Sequence, residues 1–237
     1  MSTSNTAQPT HALNVDKARF NMIEQQVRPW HVADSTVLGL LNDVPREAFT
    51  PEAYQSVAFA DLDVPLSTPP VEGESMLPPK VQARVAQDVA VKPTDTVLHI
   101  GTGSGFMAAL LGKQAKSVLS LEINPALAAV AKANLQRAGI TNVDVRCADA
   151  TAQGFKACEG QAPYDVIVLS GSVAEVPPAL LHMLKVGGRL SAIVGNEPMM
   201  RATLITRASD TAFTTEQPWD YLAPRLKNFP QPSAFRF

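Results

Sequence analysis

The sequence predicts an α/β protein built on a doubly wound, mostly parallel sheet with helices on both faces. Three observations predict it. Apolar runs of strand length alternate with helical segments from Lys80 to Arg207, the pattern of parallel strands joined by crossover helices. A glycine-rich turn, LHIGTGSGF at 98–106, follows directly on one of those runs, at the kind of strand-to-helix junction where such sheets bind ligands. The chain has 237 residues, 46% hydrophobic and 18% charged, which suffices for one large domain with an ordinary core.

The elements follow in order. Residues 1–13 are small and polar without periodicity and are expected to form a disordered tail. Val15, Met22, Ile23 and Val27 fall near helical spacing, and Pro29 ends that run. Asp34 is placed to cap a second helix that buries Val37, Leu38, Leu40 and Leu41 before Pro45. VPREAFTPEAY at 44–54 adds a further helical turn after Pro51, and residues 61–80 are proline-dense and irregular. Val81, Val85 and Val89 repeat every four residues, marking an amphipathic helix. Strands are expected at 96–100, 117–122, 143–149, 165–170, 189–195 and 202–207. Helices fill the gaps: one begins near Gly105, one runs through Leu127, Ala131 and Leu135 to a C-terminal cap at Gly139, and one follows Pro177 and Pro178.

Composition narrows the function classes. A formal net charge of -2 shows no basic excess, which argues against nucleic acid as a partner. Cys147 and Cys158 have no C-x-x-C spacing and no nearby histidine pair, so neither a metal site nor a disulfide framework is expected, and the thiols read as buried or inert. The N-terminus has no signal-peptide core and no apolar run reaches ~18 residues. A cytoplasmic protein without a membrane partner is the expectation.

The glycine turn carries the chemistry. Gly101, Gly103 and Gly105 remove side chains where a strand turns into a helix, so that backbone can approach a ligand closely. The dinucleotide fingerprint G-x-G-x-x-G would need glycine at 106, where Phe106 stands; this weakens a nicotinamide-dependent reading. No Lys-Ser or Lys-Thr pair follows the glycines, and G-x-S-x-G is absent, which removes the P-loop and nucleophile-elbow readings. G-x-G-x-G is the form of the nucleoside-binding turn of S-adenosylmethionine methyltransferases. Glu122, about 20 residues on at the next strand end, stands where a ribose partner belongs. Asp149, with the Ala150 amide beside it, is the candidate for the adenine amino group, and the Ser104 amide at the helix start suits a carboxylate.

On these residues the chain resembles the protein-L-isoaspartate O-methyltransferase family over nearly everything after the tail. MIEQQVRPW resembles the family's opening helix, VPREAFTPEAY its second segment and VLHIGTGSGF its cofactor turn; APYDVIVLSGSVAEVPPALLHMLKVGGRL resembles its fourth strand, following helix and glycine turn. The resemblance implies a seven-stranded Rossmann-like methyltransferase sheet with an N-terminal helical cap. It divides the chain into a cap and substrate loop at 14–80, a cofactor-binding core at 81–210 and a C-terminal cover at 211–237. S-adenosylmethionine is the implied cofactor, held by Gly101, Thr102, Gly103, Ser104, Gly105, Glu122, Ile123, Asp149 and Ala150. Isoaspartyl residues of damaged proteins are the implied acceptors, and methyl esterification begins their repair. A side-chain carboxyl group ordinarily titrates near ~3.9 and is already ionised at neutral pH, so the reaction needs no general base.

Two positions depart from the family pattern. Its substrate loop reads T-I-S-x-P, where this chain has Ser75, Met76, Leu77, Pro78 and Pro79. Leu77 replaces the serine and cannot donate a hydrogen bond, an interaction worth about 1.5–3 kcal/mol to a charged group. Ser75 is therefore the candidate catalytic hydroxyl, with Met76, Leu77 and Pro79 as acceptor-side residues. His99 stands where the family turn begins with an acidic residue. A different methyl acceptor, or cofactor binding without turnover, is the alternative these departures leave open.

Overall fold

The computed structural model describes residues 14–231. The expected tail at 1–13 and the end of the expected cover, 232–237, lie outside the described residues. Helices α1 (Val15–Met22) and α2 (Ser35–Asp43) open the chain. The side chain of Asp34 caps α2 by accepting from the amides of Thr36 and Val37, as its position before the apolar run required. A two-stranded ribbon, β1 (Val64–Pro65) with β2 (Ser75–Met76), gives structure to the proline-dense loop. Then come α3 (Pro79–Val89), β3 (Thr96–Ile100), α4 (Phe106–Gln114), β4 (Ser117–Glu122), α5 (Pro125–Arg137) and β5 (Val143–Cys147). They are followed by α6 (Ala152–Phe155), β6 (Tyr164–Val173), α7 (Pro178–His182), β7 (Leu184–Asn196), β8 (Met199–Arg207) and β9 (Phe213–Asp220).

The large sheet has the order β5-β4-β3-β6-β7-β8-β9. Its first five members are parallel, and β8 and β9 add antiparallel at one edge. The chain winds outward from β3 through β4 to β5, then returns to start the other half at β6, so the switch of direction falls at the carboxyl end of β3. Residues 213–220, expected within a C-terminal cover, are the edge strand of the sheet. Their pattern concealed this: FTTEQPWD is mostly exposed along β9, and Pro218 falls where the pairing with β8 shifts register, proline being confined to edge strands and such irregularities.

Alternate residues of the central strands enter two different cores. Val97, Val118, Val166 and Val168 pack with α1 to α5 on one face, whereas Leu98, Leu119, Ile167 and Leu169 pack with Phe155, Cys158 and Leu180 on the other. Burial on both faces explains why these strands read as continuous apolar runs rather than as alternations. Among the described residues no helix is long and apolar enough to cross a membrane.

One buried cation fastens the N-terminal cap to the core. Arg46 is 1% exposed; its Nε donates to Ala58 O at 2.8 Å, its Nη2 to Leu77 O at 2.7 Å and its Nη1 to the Gln82 side chain. The guanidinium also lies 5.0 Å from the Phe106 ring centroid. Burial draws its pKa down to about 9, with Asp63 acting in the opposite sense, so it remains charged at neutral pH. A single side chain therefore joins the helical cap, the substrate loop, α3 and α4. Arg46→Met strands these acceptors and is expected to cost about 3 kcal/mol, seen as a lowered urea midpoint at unchanged slope; an unaltered midpoint contradicts this role.

Candidate active site

The carboxyl ends of β3, β4, β5 and β6 open into one cleft, at the place where ligands bind in sheets of this kind. Gly101 and Gly103 line it, with Glu122 and Ile123 from the end of β4 and Asp149 and Ala150 after β5. Both glycines have positive φ, 86° and 54°, a conformation that side chains oppose. A Cβ on Gly103 would meet Leu66 Cδ1 at 3.1 Å.

Glu122 is 6% exposed and staples the turn: Oε2 accepts from the Gly103 amide at 2.8 Å and Oε1 from the Asn124 amide at 2.9 Å. Each oxygen keeps a lone pair for a hydroxyl of a ligand. Asp149 accepts from the Thr151 amide and hydroxyl at 2.9 and 2.7 Å and from Asn228 Nδ2 at 2.7 Å. Burial opposes its ionisation, but the bonds from Thr151 and Asn228 prevail and hold its carboxyl below the usual range.

The remaining residues of the turn face elsewhere. Thr102 Oγ1 pairs with Ser120 Oγ at 2.7 Å, Ser104 Oγ donates to the sulfur of Met76 at 3.3 Å, and Gly105 backs onto Ala131. Thr102 and Ser104 line a small inner cavity instead, together with Ser75, Met76, Leu77 and Ser170. Ser75 belongs to both spaces, and its Oγ is buried with no hydrogen-bond partner among the described residues. Leu77 packs with Val81, Ile193, Met200 and Ala223. Pro79 lines neither space; it is the first residue of α3 and buried there, where its fixed φ suits a helix start. The two thiols are unpaired and stand apart from the cleft: Cys147 is exposed, and burial pushes the Cys158 thiol up to about 12.

His99 is fully buried in β3. Its Nδ1 lies 2.9 Å from Ser120 Oγ and its Nε2 2.7 Å from Ser170 Oγ. Burial pushes its pKa down to about 3, so the ring is neutral: one nitrogen donates to a serine and the other accepts. Ser170 in turn lines the cleft, where β6 loses its register against β7 between Val168 and Ser172.

A strap from Tyr221 to Phe229 closes the mouth. Ser172 and the strap exchange backbone bonds with Pro224 O and the Leu226 amide, and the Tyr221 hydroxyl donates to Asp63 at 3.2 Å. Lys227 pairs with Glu74 at 2.6 Å. Arg225, Leu226, Lys227 and Phe229 thereby line the cleft beside Glu74 and Ser170. Sequence reasoning did not single out any of these six. Ser170 had a signal, its place at a strand's carboxyl end; the others meet the cleft through contacts between segments distant in sequence or through an irregular loop. Gly171 permits the approach, since a Cβ there would sit 2.8 Å from Leu226 Cδ2 and 3.0 Å from Pro224 O.

Two outcomes follow from this geometry. Gly171→Val is expected to lift the strap, so that limited proteolysis beyond Asp220 runs several-fold faster; an unchanged rate contradicts the packing. For His99, the unfolded chain binds a proton near pH 6.5 that the folded chain refuses until about pH 3. Stability is therefore lost as pH falls through that window, by about 1.4 kcal/mol per pH unit well below 6.5. His99→Gln keeps hydrogen-bonding capacity, and its urea midpoint should decline less steeply than wild type between pH 6 and 4.5; equal slopes contradict the neutral buried ring.

Comparison with known proteins agrees with this architecture. The family model described as Protein-L-isoaspartate(D-aspartate) O-methyltransferase (PCMT) matches residues 17–221. A protein-L-isoaspartate O-methyltransferase of Koribacter versatilis is 37% identical over 193 residues, 81% of this chain and 82% of the relative. A second, protein-L-isoaspartate O-methyltransferase 2 of Marinobacter nauticus, is 40% identical over 196 residues, 82% of this chain and 86% of the relative. Among solved structures, a Plasmodium falciparum protein-L-isoaspartate O-methyltransferase in complex with S-adenosyl-L-homocysteine superposes with a TM-score of 0.69 at 18% identity, covering 90% of this chain and 98% of that one. That likeness concerns the fold. The family match over most of the chain and the two relatives establish the rest: the chain belongs to the protein-L-isoaspartate(D-aspartate) O-methyltransferase family.

Proposed function

We propose that this protein is an S-adenosylmethionine-dependent methyltransferase that esterifies the carboxylate of isoaspartyl residues in damaged proteins. The observation that carries the reading is the convergence of Gly101, Gly103, Glu122 and Asp149 on one cleft at the strand ends, in a chain of this family. The cleft fits a nucleoside. The two glycines leave room for close backbone approach, Glu122 offers carboxylate oxygens to ribose hydroxyls, and Asp149 with the Ala150 amide offers an acceptor and a donor to adenine. Ile123 adds apolar contact. Thr102, Ser104 and Gly105 support the cofactor by shaping the turn.

When bound, the cofactor supplies an electrophilic methyl group on a sulfonium. The residues of this chain then have three tasks: to orient the acceptor carboxylate, to exclude water and to leave the carboxylate ionised. Ser75 is the hydroxyl available for the first, because its Oγ is buried without a partner. Ser170, fixed by His99 Nε2, stands in the same cleft as a second hydroxyl. Met76 and Leu77 form the apolar floor, and Leu226 with Phe229 closes the mouth against solvent. Pro79 acts through the start of α3, which sets the position of the loop.

Leu77 favours one other reading, a methyltransferase of the same kind with a different acceptor, because a packed leucine takes the place of a donor in the loop. Labelled methyl transfer to an isoaspartyl peptide and to its aspartyl twin separates the two. Selective labelling of the isoaspartyl peptide is the expected result; cofactor binding with no such selectivity contradicts the reading.

A further inference from the structure

The strap holds a cation that none of these tasks employs. Arg225 follows Pro224 and forms an isolated bridge with Ser172 of β6. Its Nη2 donates to Gly195 O and to Asn196 Oδ1, both at 2.8 Å. Its Nη1 is buried and has no hydrogen-bond partner among the described residues. The other strap cation, Lys227, is neutralised by Glu74 at 2.6 Å, whereas Arg225 makes no ion pair with any described residue. Arg225 also lies between two spaces. It lines the cleft with Ser75 and Ser170, and it lines an outer groove bounded by Asp63, Glu72, Glu197, Met200 and Leu222.

We propose that Arg225 binds the carboxylate of the methyl acceptor as it enters from the outer groove. The assignment rests on the reading of the chain as a carboxyl methyltransferase. A buried charged donor left without an acceptor is costly, so a site that keeps one is suited to an anion arriving from outside. The guanidinium is a planar fork matched to carboxylate, and the two bonds of Nη2 fix its plane in advance, which limits the entropy lost on binding. Two anions qualify, the acceptor carboxylate and the amino-acid carboxylate of the cofactor. The outer groove favours the first, because most of its lining is separate from the nucleoside cleft and gives a polypeptide a path to Arg225. Asp63, Glu72 and Glu197 repel an anion elsewhere along that path, which leaves Arg225, the cation of the lining with no carboxylate partner among the described residues, as the point where an acceptor carboxylate is held.

The ion pair also suits turnover. One carboxylate oxygen forms the bond to the methyl carbon, the sulfur–methyl bond breaks, its electron pair stays on sulfur, and no proton moves. The ester formed is neutral, so Arg225 loses its partner as product appears, which favours release.

The test compares wild type with Arg225→Gln, Arg225→Met and Arg225→Lys in steady-state methylation of an isoaspartyl peptide, with calorimetric Kd values for S-adenosylhomocysteine measured on each. The two neutral variants should raise the peptide KM on the order of 10- to 100-fold, with Kd for S-adenosylhomocysteine within about twofold of wild type, which also reports an intact fold. Arg225→Lys should recover part of the loss, and the wild-type KM should rise with salt more steeply than that of Arg225→Gln. An unchanged peptide KM in both neutral variants overturns the assignment. A weakened cofactor Kd with unchanged peptide KM also overturns it, placing Arg225 on the cofactor's carboxylate. Wild type that binds S-adenosylhomocysteine yet leaves the isoaspartyl peptide unlabelled overturns the acceptor reading itself, and the Arg225 assignment with it.

Discussion

A parallel sheet whose central strands are sealed on both faces has only its strand ends left to meet a ligand. In this chain the alternation of Val97 with Leu98 and of Val166 with Ile167 between two separate cores imposes that constraint. The glycine turn after β3 and the acidic residues after β4 and β5 are then brought together by the order of the strands. The buried Glu122 converts proximity into geometry, because its two oxygens hold the turn after β3 and the turn after β4 to one carboxylate. Loss of either core face would loosen the strand register that places these groups.

The N-terminal cap and the C-terminal strap are attached to this frame by a few buried polar contacts. Arg46 carries the cap, with its three donor groups spread over Ala58, Leu77 and Gln82. The strap rests on Ser172 and on the space Gly171 leaves, and its outer bonds, Lys227 to Glu74 and Asn228 to Asp149, close over the cleft. The acceptor side of the site is thus assembled from both ends of the chain. On the proposed reading it combines Ser75 from the loop, Ser170 from β6 and Arg225 from the strap around the position that Leu77 leaves without a donor.

Much of this was legible in the sequence, and the reasons differ by residue. Strands β3, β4 and β6 were visible because burial on both faces makes them nearly unbroken apolar runs, β5 because Val143 and Val145 alternate with Asp144 and Arg146, and the cap of α2 because Asp34 precedes a helical pattern. The convergence of Gly101, Gly103, Glu122 and Asp149 on one cleft was legible because ligand sites in such a sheet recur at strand ends. Strand β9 was not, since an edge strand with an exposed face lacks apolar alternation. The inward turn of Thr102 and Ser104 was not, because spacing along a turn does not say which way each side chain leaves it. Glu74, Arg225 and Lys227 depend on contacts between distant segments, which local pattern does not encode. The burial that keeps His99 neutral follows from its place in the sheet, whereas its serine partners become apparent only in three dimensions.

One cleft is thus held to bind a nucleoside between Glu122 and Asp149 and to present an acceptor carboxylate beside Ser75. A crystal structure with S-adenosylhomocysteine and an isoaspartyl peptide tests this most directly. The ribose hydroxyls are expected on Glu122, the adenine beside Asp149 and the isoaspartyl carboxylate within hydrogen-bond distance of Ser75 Oγ. A nucleoside bound elsewhere, or a peptide whose carboxylate lies away from Ser75, would contradict it.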